Sequence, residues 1–218
     1  MRPSVPIAVI DDQDLFRNAL CDMIGLLGGY KVVLQAGNGH EYQELIADGT
    51  NVSVAIVDLH MPVMDGYETI AWIRANQPET RTLALTFDND EQTMVRALRC
   101  GACGFLPKNV NKGIFREALA QVVHLGHYIN EDLVERGQVA SHSTHEEARG
   151  RVITQLSHRE VEFIRQVCDE SEPTYEQIAA RMGVSMSTVQ GYRHNIFTRH
   201  SLKSKAGLVI FAYKWNLL

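Results

Sequence analysis

The first half of the chain alternates between short apolar runs and longer segments with helical spacing, and this alternation limits the possible folds most strongly. Runs rich in Val, Ile and Ala are typical of buried parallel strands, whereas apolar residues three and four apart are typical of helices packed on a sheet. Five such pairs predict a doubly wound, five-stranded parallel sheet with helices on both faces. The predicted strands are residues 6–10, 31–36, 52–59, 82–86 and 102–106, and the predicted helices are 15–27, 40–47, 65–76, 90–99 and 112–124.

The pattern changes after this region. Residues 131–154 are polar and small and have no periodicity, which is typical of a linker. Beyond them the spacing is helical throughout, and two capping boxes, Ser157 with Glu160 and Thr174 with Gln177, predict where helices begin. We therefore expect an α/β domain at residues 1–130, a linker at 131–154, and a small all-α domain of four helices at 155–218.

Charge is distributed unevenly along the chain. The formal net charge is −5, yet after Glu176 there are six basic side chains and no Asp or Glu. An acidic first part and a basic last part indicate a polyanion partner, such as nucleic acid, for the last part only. The alternative is a solvated surface that happens to be basic.

Membrane and secreted classes do not fit the composition. No apolar run approaches the roughly 18–20 residues of a membrane span, and the N-terminus is too short and polar for a signal peptide. We expect a cytoplasmic protein without a membrane partner, in which the four cysteines are reduced thiols. Cys100 and Cys103 have the spacing of a redox or zinc site, but no second pair follows, so we expect them to be core thiols.

Polar residues stand where the predicted strands end. Asp11 and Asp12 follow the first strand, Asp58 lies near the end of the third, Thr86 ends the fourth, and Lys108 follows the fifth. The carboxyl ends of parallel strands share one edge, where ligands of such sheets bind. Taken singly, each acid is better explained as a helix cap and the lysine as a surface charge. Together they predict one acidic pocket.

Three clustered carboxylates repel one another unless a cation lies among them. Mg²⁺ suits such a site, because it prefers oxygen ligands and keeps some of its waters. A carboxylate beside Mg²⁺, a lysine and a hydroxyl can attack phosphorus and hold the resulting acyl phosphate.

The segments VIDDQDLFR, IVDLHMPVMDG, LTFDND and GACGFLPK resemble, in this order, the receiver domain of two-component response regulators. The resemblance covers residues 5 to about 128 and implies that Asp58 accepts a phosphoryl group from a histidine kinase. It further implies metal binding by Asp11, Asp12, Asp58 and the main-chain carbonyl of His60, phosphoryl contacts by Thr86 and Lys108, and switching by Phe105. Because Phe105 lacks the hydroxyl of the commoner Tyr, any such switch must act through packing.

Ala179, Gly183 and Val189 have the spacing of a helix-turn-helix, with a small residue at the helix contact and glycine at the turn. With the flanking segments YEQIAARMGVSMSTVQGYRHNIF and HSLKSKAGLVIFA, residues 156–218 resemble the LuxR-type domain of NarL/FixJ regulators. Val189, Tyr192 and Ile196 lie on one side of the second helix and should face the core.

The opposite face of that helix should enter the major groove, where Gln190 can read adenine. The predicted DNA-binding residues are Ser187, Gln190, Gly191, Arg193, His194, Arg199, Lys203 and Lys205. Four of them are assigned to phosphate contacts, which position a domain without specifying sequence. These four are Arg193, Arg199, Lys203 and Lys205. Gly191 either loosens the helix or allows close approach to DNA, and the sequence does not distinguish these alternatives.

The last helix, LVIFAYKWNLL, is apolar nearly all round. One face must cover the core of the small domain, and the rest predicts an interaction surface. The LuxR-type resemblance implies dimerisation through this helix, with Val209, Tyr213 and Trp215 as candidates. We expect a homodimer on phosphorylation and DNA targets that are inverted repeats.

The sequence thus predicts a phosphorylation-controlled transcription regulator that is not an enzyme. One alternative is a constitutive DNA-binding protein whose receiver serves only for protein interaction. A second alternative is a metal-dependent hydrolase, but the sequence pattern shows neither a separate general base nor a substrate cleft.

Overall fold

The computed structural model describes residues 4–88, 90–129 and 145–218. By its internal contacts the chain divides into two compact units, Met1–Asn130 and Glu131–Leu218. Within the described ranges, no helix has both the length and the apolar character needed to cross a bilayer.

The first unit contains a parallel sheet with the strand order β2-β1-β3-β4-β5-β6. The five predicted strands are present, and a sixth, two-residue strand pairs with β5. A strand this short shows no alternation, which is why the sequence did not predict it. The strands are β1 Val5–Ile10, β2 Tyr30–Ala36, β3 Val54–Asp58, β4 Arg81–Thr86, β5 Gly104–Pro107 and β6 Tyr128–Ile129.

Helices follow each of the first five strands. On one face of the sheet, Ile7 and Val9 of β1 share a core with Leu20 of α1 and with Phe115 and Leu119 of α5. Because helices cover both faces, the central strands β3 and β4 have consecutive buried residues instead of an alternation of buried and exposed ones. The helices are α1 Asp14–Leu27, α2 Gly39–Ile46, α3 Gly66–Asn76, α4 Glu91–Cys100 and α5 Lys112–Leu125.

All regular secondary structure in the described residues of the second unit is helical. Both predicted capping boxes are confirmed, at Ser157 and at Thr174. Gly183 ends α8 with a φ of +65°, a conformation that favours glycine. The helices are α6 His145–Gln155, α7 His158–Cys168, α8 Tyr175–Met182, α9 Met186–Arg199 and α10 Lys205–Lys214.

Helix α6 lies inside the segment that we predicted to be a linker, so the prediction for residues 145–154 is wrong; residues 131–144 lie outside the described ranges. In place of an apolar stripe, polar contacts join α6 to the end of α10. Arg149 donates from Nε to the carbonyl of Trp215 (2.9 Å) and from Nη2 to that of Asn216 (3.2 Å). A cation at the carboxyl end of a helix satisfies carbonyls that have no partner within that helix. Hydrophobic periodicity carries no signal for such a contact.

Candidate functional site

The acidic pocket predicted from the strand ends is present in the first unit. Lys108 Nζ donates a hydrogen bond to Asp58 Oδ2 at 2.8 Å and lies 2.8 Å from Asp11 Oδ2. All three residues are buried, and Thr86 is fully buried beside them at the end of β4. The strand order reverses between β1 and β3, so Asp11 and Asp58 flank the switch point of the sheet.

The pKa of Asp58 is set by opposing effects. Burial raises it above its ordinary value, the hydrogen bond and charge of Lys108 lower it, and the charge of Asp11 raises it. Lys108 offsets only part of the desolvation, so the pKa of Asp58 stays above its ordinary value. An ionised carboxylate is what attack on phosphorus requires.

The carboxylate oxygens of Asp11, Asp12 and Asp58 lie within 4.8 Å of one another, as a shared cation requires. Asp12 is exposed, whereas the other two are buried. Within the described part of the chain, Asp11 Oδ2 is a buried oxygen that has the ion pair with Lys108 but no hydrogen bond. Three carboxylates against one lysine leave a negative site of oxygen donors, which fits Mg²⁺.

His60 occupies the loop after β3. Its main-chain N–H donates to Asp58 Oδ1 at 3.3 Å, and its Nε2 lies 2.8 Å from Asp88 Oδ2. The Asp88 N–H in turn donates to Thr86 Oγ1 at 3.1 Å. Metal binding by the His60 carbonyl stays a prediction. The side-chain bridge to Asp88 was not predicted, since it joins residues that are distant in the sequence.

Two aromatic residues that the sequence did not single out border Lys108. Its Nζ lies 4.7 Å from the ring centre of Phe16 and 5.2 Å from that of Phe87. Phe16 belongs to the segment VIDDQDLFR and Phe87 to LTFDND, but their positions in the sequence do not indicate a contact with Lys108. At these distances both rings make cation–π contacts with the ammonium group.

Phe105, the predicted switch aromatic, lies on β5 in register with Ala84 of β4. Only 1% of its surface is exposed, so the ring is enclosed by the core in this conformation. Its switching role stays a prediction.

The predicted DNA-reading face lies on α9 of the second unit. Val189 and Ile196 are fully buried and Tyr192 is half-buried, as the spacing predicted. The opposite side of the helix carries the exposed residues Ser187, Gln190, Gly191 and His194. Arg193 is also exposed but lies beside the buried face, with its guanidinium carbon 5.8 Å from the ring centre of Tyr175 and 5.1 Å from that of Phe197. The structure therefore divides this helix into the two faces expected from the sequence.

The predicted phosphate contacts are not equally accessible. Lys203 is exposed, but Lys205 Nζ donates to the Pro173 carbonyl at 2.9 Å. Arg199 donates to the Gln155 carbonyl at 2.5 Å and pairs with the buried Glu160 at 3.4 Å. Arg199 thus holds the end of α6 and the start of α7, which its basic character alone did not indicate.

The prediction for the last helix is partly wrong. Val209 is fully buried and offers no contact surface, because α10 packs against α7 and residues Leu208 to Ala212 are all buried. Tyr213 and Trp215 are half-buried and retain accessible surface. The apolar surplus that suggested a large exposed patch is therefore mostly used in the core.

Two protein families match this chain, one in each unit. Residues 7–123 match the response regulator receiver domain, and residues 154–212 match the bacterial regulatory proteins of the luxR family. The response regulator GacA of Pseudomonas aeruginosa is 24% identical over 98% of this chain and 98% of its own length. The nitrate/nitrite response regulator protein NarL of Escherichia coli is 26% identical over 95% of this chain and 94% of its own length.

Solved structures agree with this assignment. The receiver domain of AraT, a response regulator from Geobacillus stearothermophilus, has a TM-score of 0.50 at 26% identity, over 56% of this chain and 94% of that one. The RcsB response regulator of Salmonella typhimurium has a TM-score of 0.54 at 17% identity, over 95% of this chain and 97% of that one, and shows likeness of fold. The chain therefore belongs to the two-component response regulators of the NarL/FixJ group, with a receiver domain followed by a LuxR-type DNA-binding domain.

Proposed function

We propose that Asp58 of the receiver accepts a phosphoryl group from a histidine kinase and that this controls DNA binding by the second unit. The observation that carries the proposal is the contact of Lys108 Nζ with Asp58 Oδ2 at 2.8 Å, at the sheet edge that also holds Asp11 and Thr86. A constitutive DNA-binding protein would have no need of this buried, mutually dependent set of charges.

The residues of the pocket divide the chemistry among them. The Asp58 carboxylate attacks phosphorus, an O–P bond forms, and the N–P bond to the kinase histidine breaks with its electron pair leaving on the imidazole. Lys108 then pairs with a phosphoryl oxygen. Thr86 Oγ1 already accepts from the Asp88 N–H, so its own hydrogen is free to donate to another. When bound by Asp11, Asp12 and Asp58, Mg²⁺ supplies charge neutralisation on the phosphoryl oxygens.

The test of the chemistry is labelling by a small acyl phosphate with Mg²⁺, followed by intact-mass measurement. The wild-type chain should gain one phosphoryl group, and Asp58→Asn should gain none. Asp48→Asn, which removes an exposed aspartate just after α2, is the matched control and should label normally. Equal labelling of the Asp58→Asn variant would refute the assignment of the acceptor.

The DNA half of the proposal places the exposed face of α9 in the major groove. Binding should fall steeply with salt, because cations on the protein displace counterions from DNA. Binding to a random DNA pool should strengthen when beryllium fluoride mimics the phosphoryl group. Equal binding with and without the mimic would favour the constitutive alternative instead.

We also propose that the phosphorylated protein is a homodimer on inverted repeats in the cytoplasm, where the kinase and DNA meet it. One helix-turn-helix reads few base pairs, and a second copy on the same duplex raises affinity through effective concentration. Tyr213 and Trp215 supply accessible contact surface. Sedimentation of both forms with DNA tests this: a phosphorylated protein that stays monomeric on its preferred DNA would contradict it.

A further inference from the structure

The side chain of Arg17 reaches back from α1 to the loop that carries Asp11 and Asp12. Nη1 donates to the main-chain carbonyl of Asp11 at 2.5 Å, and Nη2 pairs with the carboxylate of Asp14. The Arg17 side chain is only 16% exposed. The guanidinium group therefore joins the first turn of α1 to the residue that starts the acidic pocket.

Other bonds fix the same loop. The Asp11 N–H donates to the Ala36 carbonyl at 3.0 Å, and the Gln13 N–H donates to Asp11 Oδ1 at 2.9 Å. The carbonyl of Asp11 is thus the group through which Arg17 sets the orientation of the peptide between Asp11 and Asp12. Because this peptide joins the two residues, a change in its orientation would move both carboxylates relative to Asp58.

Stability alone does not account for this arginine. Among the described residues, its Nε is buried without a hydrogen-bond partner, and such a donor is unfavourable in a folded protein. Its partner Asp14 is 81% exposed, and ion pairs of this kind stabilise little. An aliphatic side chain would avoid the unpaired donor, so the bond to the Asp11 carbonyl is the contribution that only the guanidinium makes.

We propose that Arg17 is a positioning residue for the metal site: it holds the Asp11 carbonyl so that the carboxylates of Asp11, Asp12 and Asp58 converge on one cation. The inference rests on the proposed function of the acidic pocket. It assigns a role to a residue outside the predicted metal ligands and phosphoryl contacts.

Charge and position predict opposite effects, which makes the proposal testable. A guanidinium near the pocket repels Mg²⁺, so removing its charge should tighten binding if charge is all that matters. If Arg17 acts by position, removing it should weaken binding. Losing a residue that orients metal ligands typically weakens metal binding by about 10- to 100-fold.

The experiment is calorimetric titration of the full unphosphorylated chain with Mg²⁺ at constant ionic strength, beside thermal unfolding without metal. Arg17→Met should bind Mg²⁺ at least about tenfold more weakly. Arg17→Lys, which keeps the charge and one donor, should recover part of the affinity. Asp14→Asn removes the ion pair but leaves the carbonyl bond, and should bind almost as well as the wild-type chain.

Arg81 is the matched control. Its half-buried side chain also donates to main-chain carbonyls, those of Val122 (2.7 Å) and Val123 (2.5 Å). Arg81 is the first residue of β4, so it lies at the end of this strand that is far from the acidic pocket. Arg81→Met should lower the unfolding temperature and leave Mg²⁺ affinity unchanged.

Unchanged or tighter binding by Arg17→Met would overturn the proposal, and so would equal weakening by Arg81→Met, which would indicate general loosening. Labelling of the wild-type chain on Asp58 is measured separately, so a failure of this inference is distinguishable from a failure of the proposed function. If Arg17→Met does not fold, the comparison of Arg17→Lys with Asp14→Asn decides: equal affinities in these two would contradict the role of the carbonyl bond.

Discussion

Gly66 lies directly against the main chain of Asp58: a Cβ atom added to Gly66 would stand 2.1 Å from the Asp58 carbonyl oxygen. Such a contact cannot be relieved by a side-chain rotation, because the obstructing atom is backbone. The start of α3 therefore packs on the acceptor residue itself, and any side chain at position 66 must displace one of them.

Gly66→Ala should lower the free energy of unfolding of the receiver by roughly 1–3 kcal/mol, the usual effect of overpacking, and should slow labelling of Asp58. Gly25→Ala is the control, since Gly25 also lies in a helix but no atom other than those of its chain neighbours and its own helix backbone lies within 4 Å of the added carbon. It should leave labelling unchanged and raise stability by up to about 1 kcal/mol. Denaturant unfolding and intact-mass labelling measure both effects. Normal labelling of Gly66→Ala would show that α3 can move away without disturbing the acceptor.

The stability of the second unit should depend on pH through His200. Its Nε2 is buried without a hydrogen-bond partner among the described residues, and its ring lies 4.6 Å from that of Phe211. Burial and then the charge of Arg199 lower the pKa of His200 below its ordinary value of 6.5, while Glu160 opposes them. As the pH falls below 6.5, the unfolded chain takes up the proton first, so the free energy of unfolding should decrease from there towards the folded pKa.

Urea unfolding in a Trp72→Phe background isolates this effect, because Trp215 then reports on the second unit alone. His200→Phe keeps the ring packed on Phe211 and removes the titrating group. In this variant the free energy of unfolding should decrease less as the pH falls below 6.5. The same acid sensitivity in both proteins would assign it to another group.

Gln190 and Lys203 should have different effects on DNA recognition, although both are exposed. Gln190→Ala should lose discrimination at one or two base pairs, by about 1–3 kcal/mol for the preferred base. Lys203→Ala should weaken binding to all sequences about equally and reduce the salt dependence. Site selection from a random pool measures both variants. If wild type and Gln190→Ala select the same sites, this residue does not read a base.

Gly191→Ala tests the two explanations that the sequence left open. Apart from its chain neighbours and the backbone of its own helix, no atom lies within 4 Å of the added carbon, so helix propensity alone should raise the stability of the second unit by about 1 kcal/mol. If the glycine merely loosens the helix, DNA affinity should hold or improve. If the helix approaches DNA closely there, affinity should fall despite the gain in stability. Fluorescence unfolding and DNA titration on the same preparation separate the two outcomes.

The acidic pocket could be predicted because its residues follow strands, and parallel strands bring their carboxyl ends together whatever the details of packing. The caps at Ser157 and Thr174 were predictable for a similar reason, since they depend on residues three apart. By contrast, the pairing of Arg199 with Glu160, the bridge from His60 to Asp88 and the bond from Arg149 to α10 each join distant segments. Only the folded chain brings such groups into contact.

Val209 shows a second reason why the sequence did not predict every contact. Hydropathy indicated that α10 has more apolar surface than one face can bury, but it does not show how many neighbours a helix has. In the structure five consecutive residues, Leu208 to Ala212, are buried, so the helix is central instead of peripheral.

The contacts of α6 decide where this chain can be cut and rejoined. The match to the LuxR-type family begins at residue 154. That residue would therefore be an obvious junction for exchanging receivers between regulators. A chimera joined there would lose Arg149 and leave the carbonyls of Trp215 and Asn216 without that donor. The transferable DNA-binding module therefore begins before His145, and recombination between such genes should be tolerated upstream of α6 more often than within it.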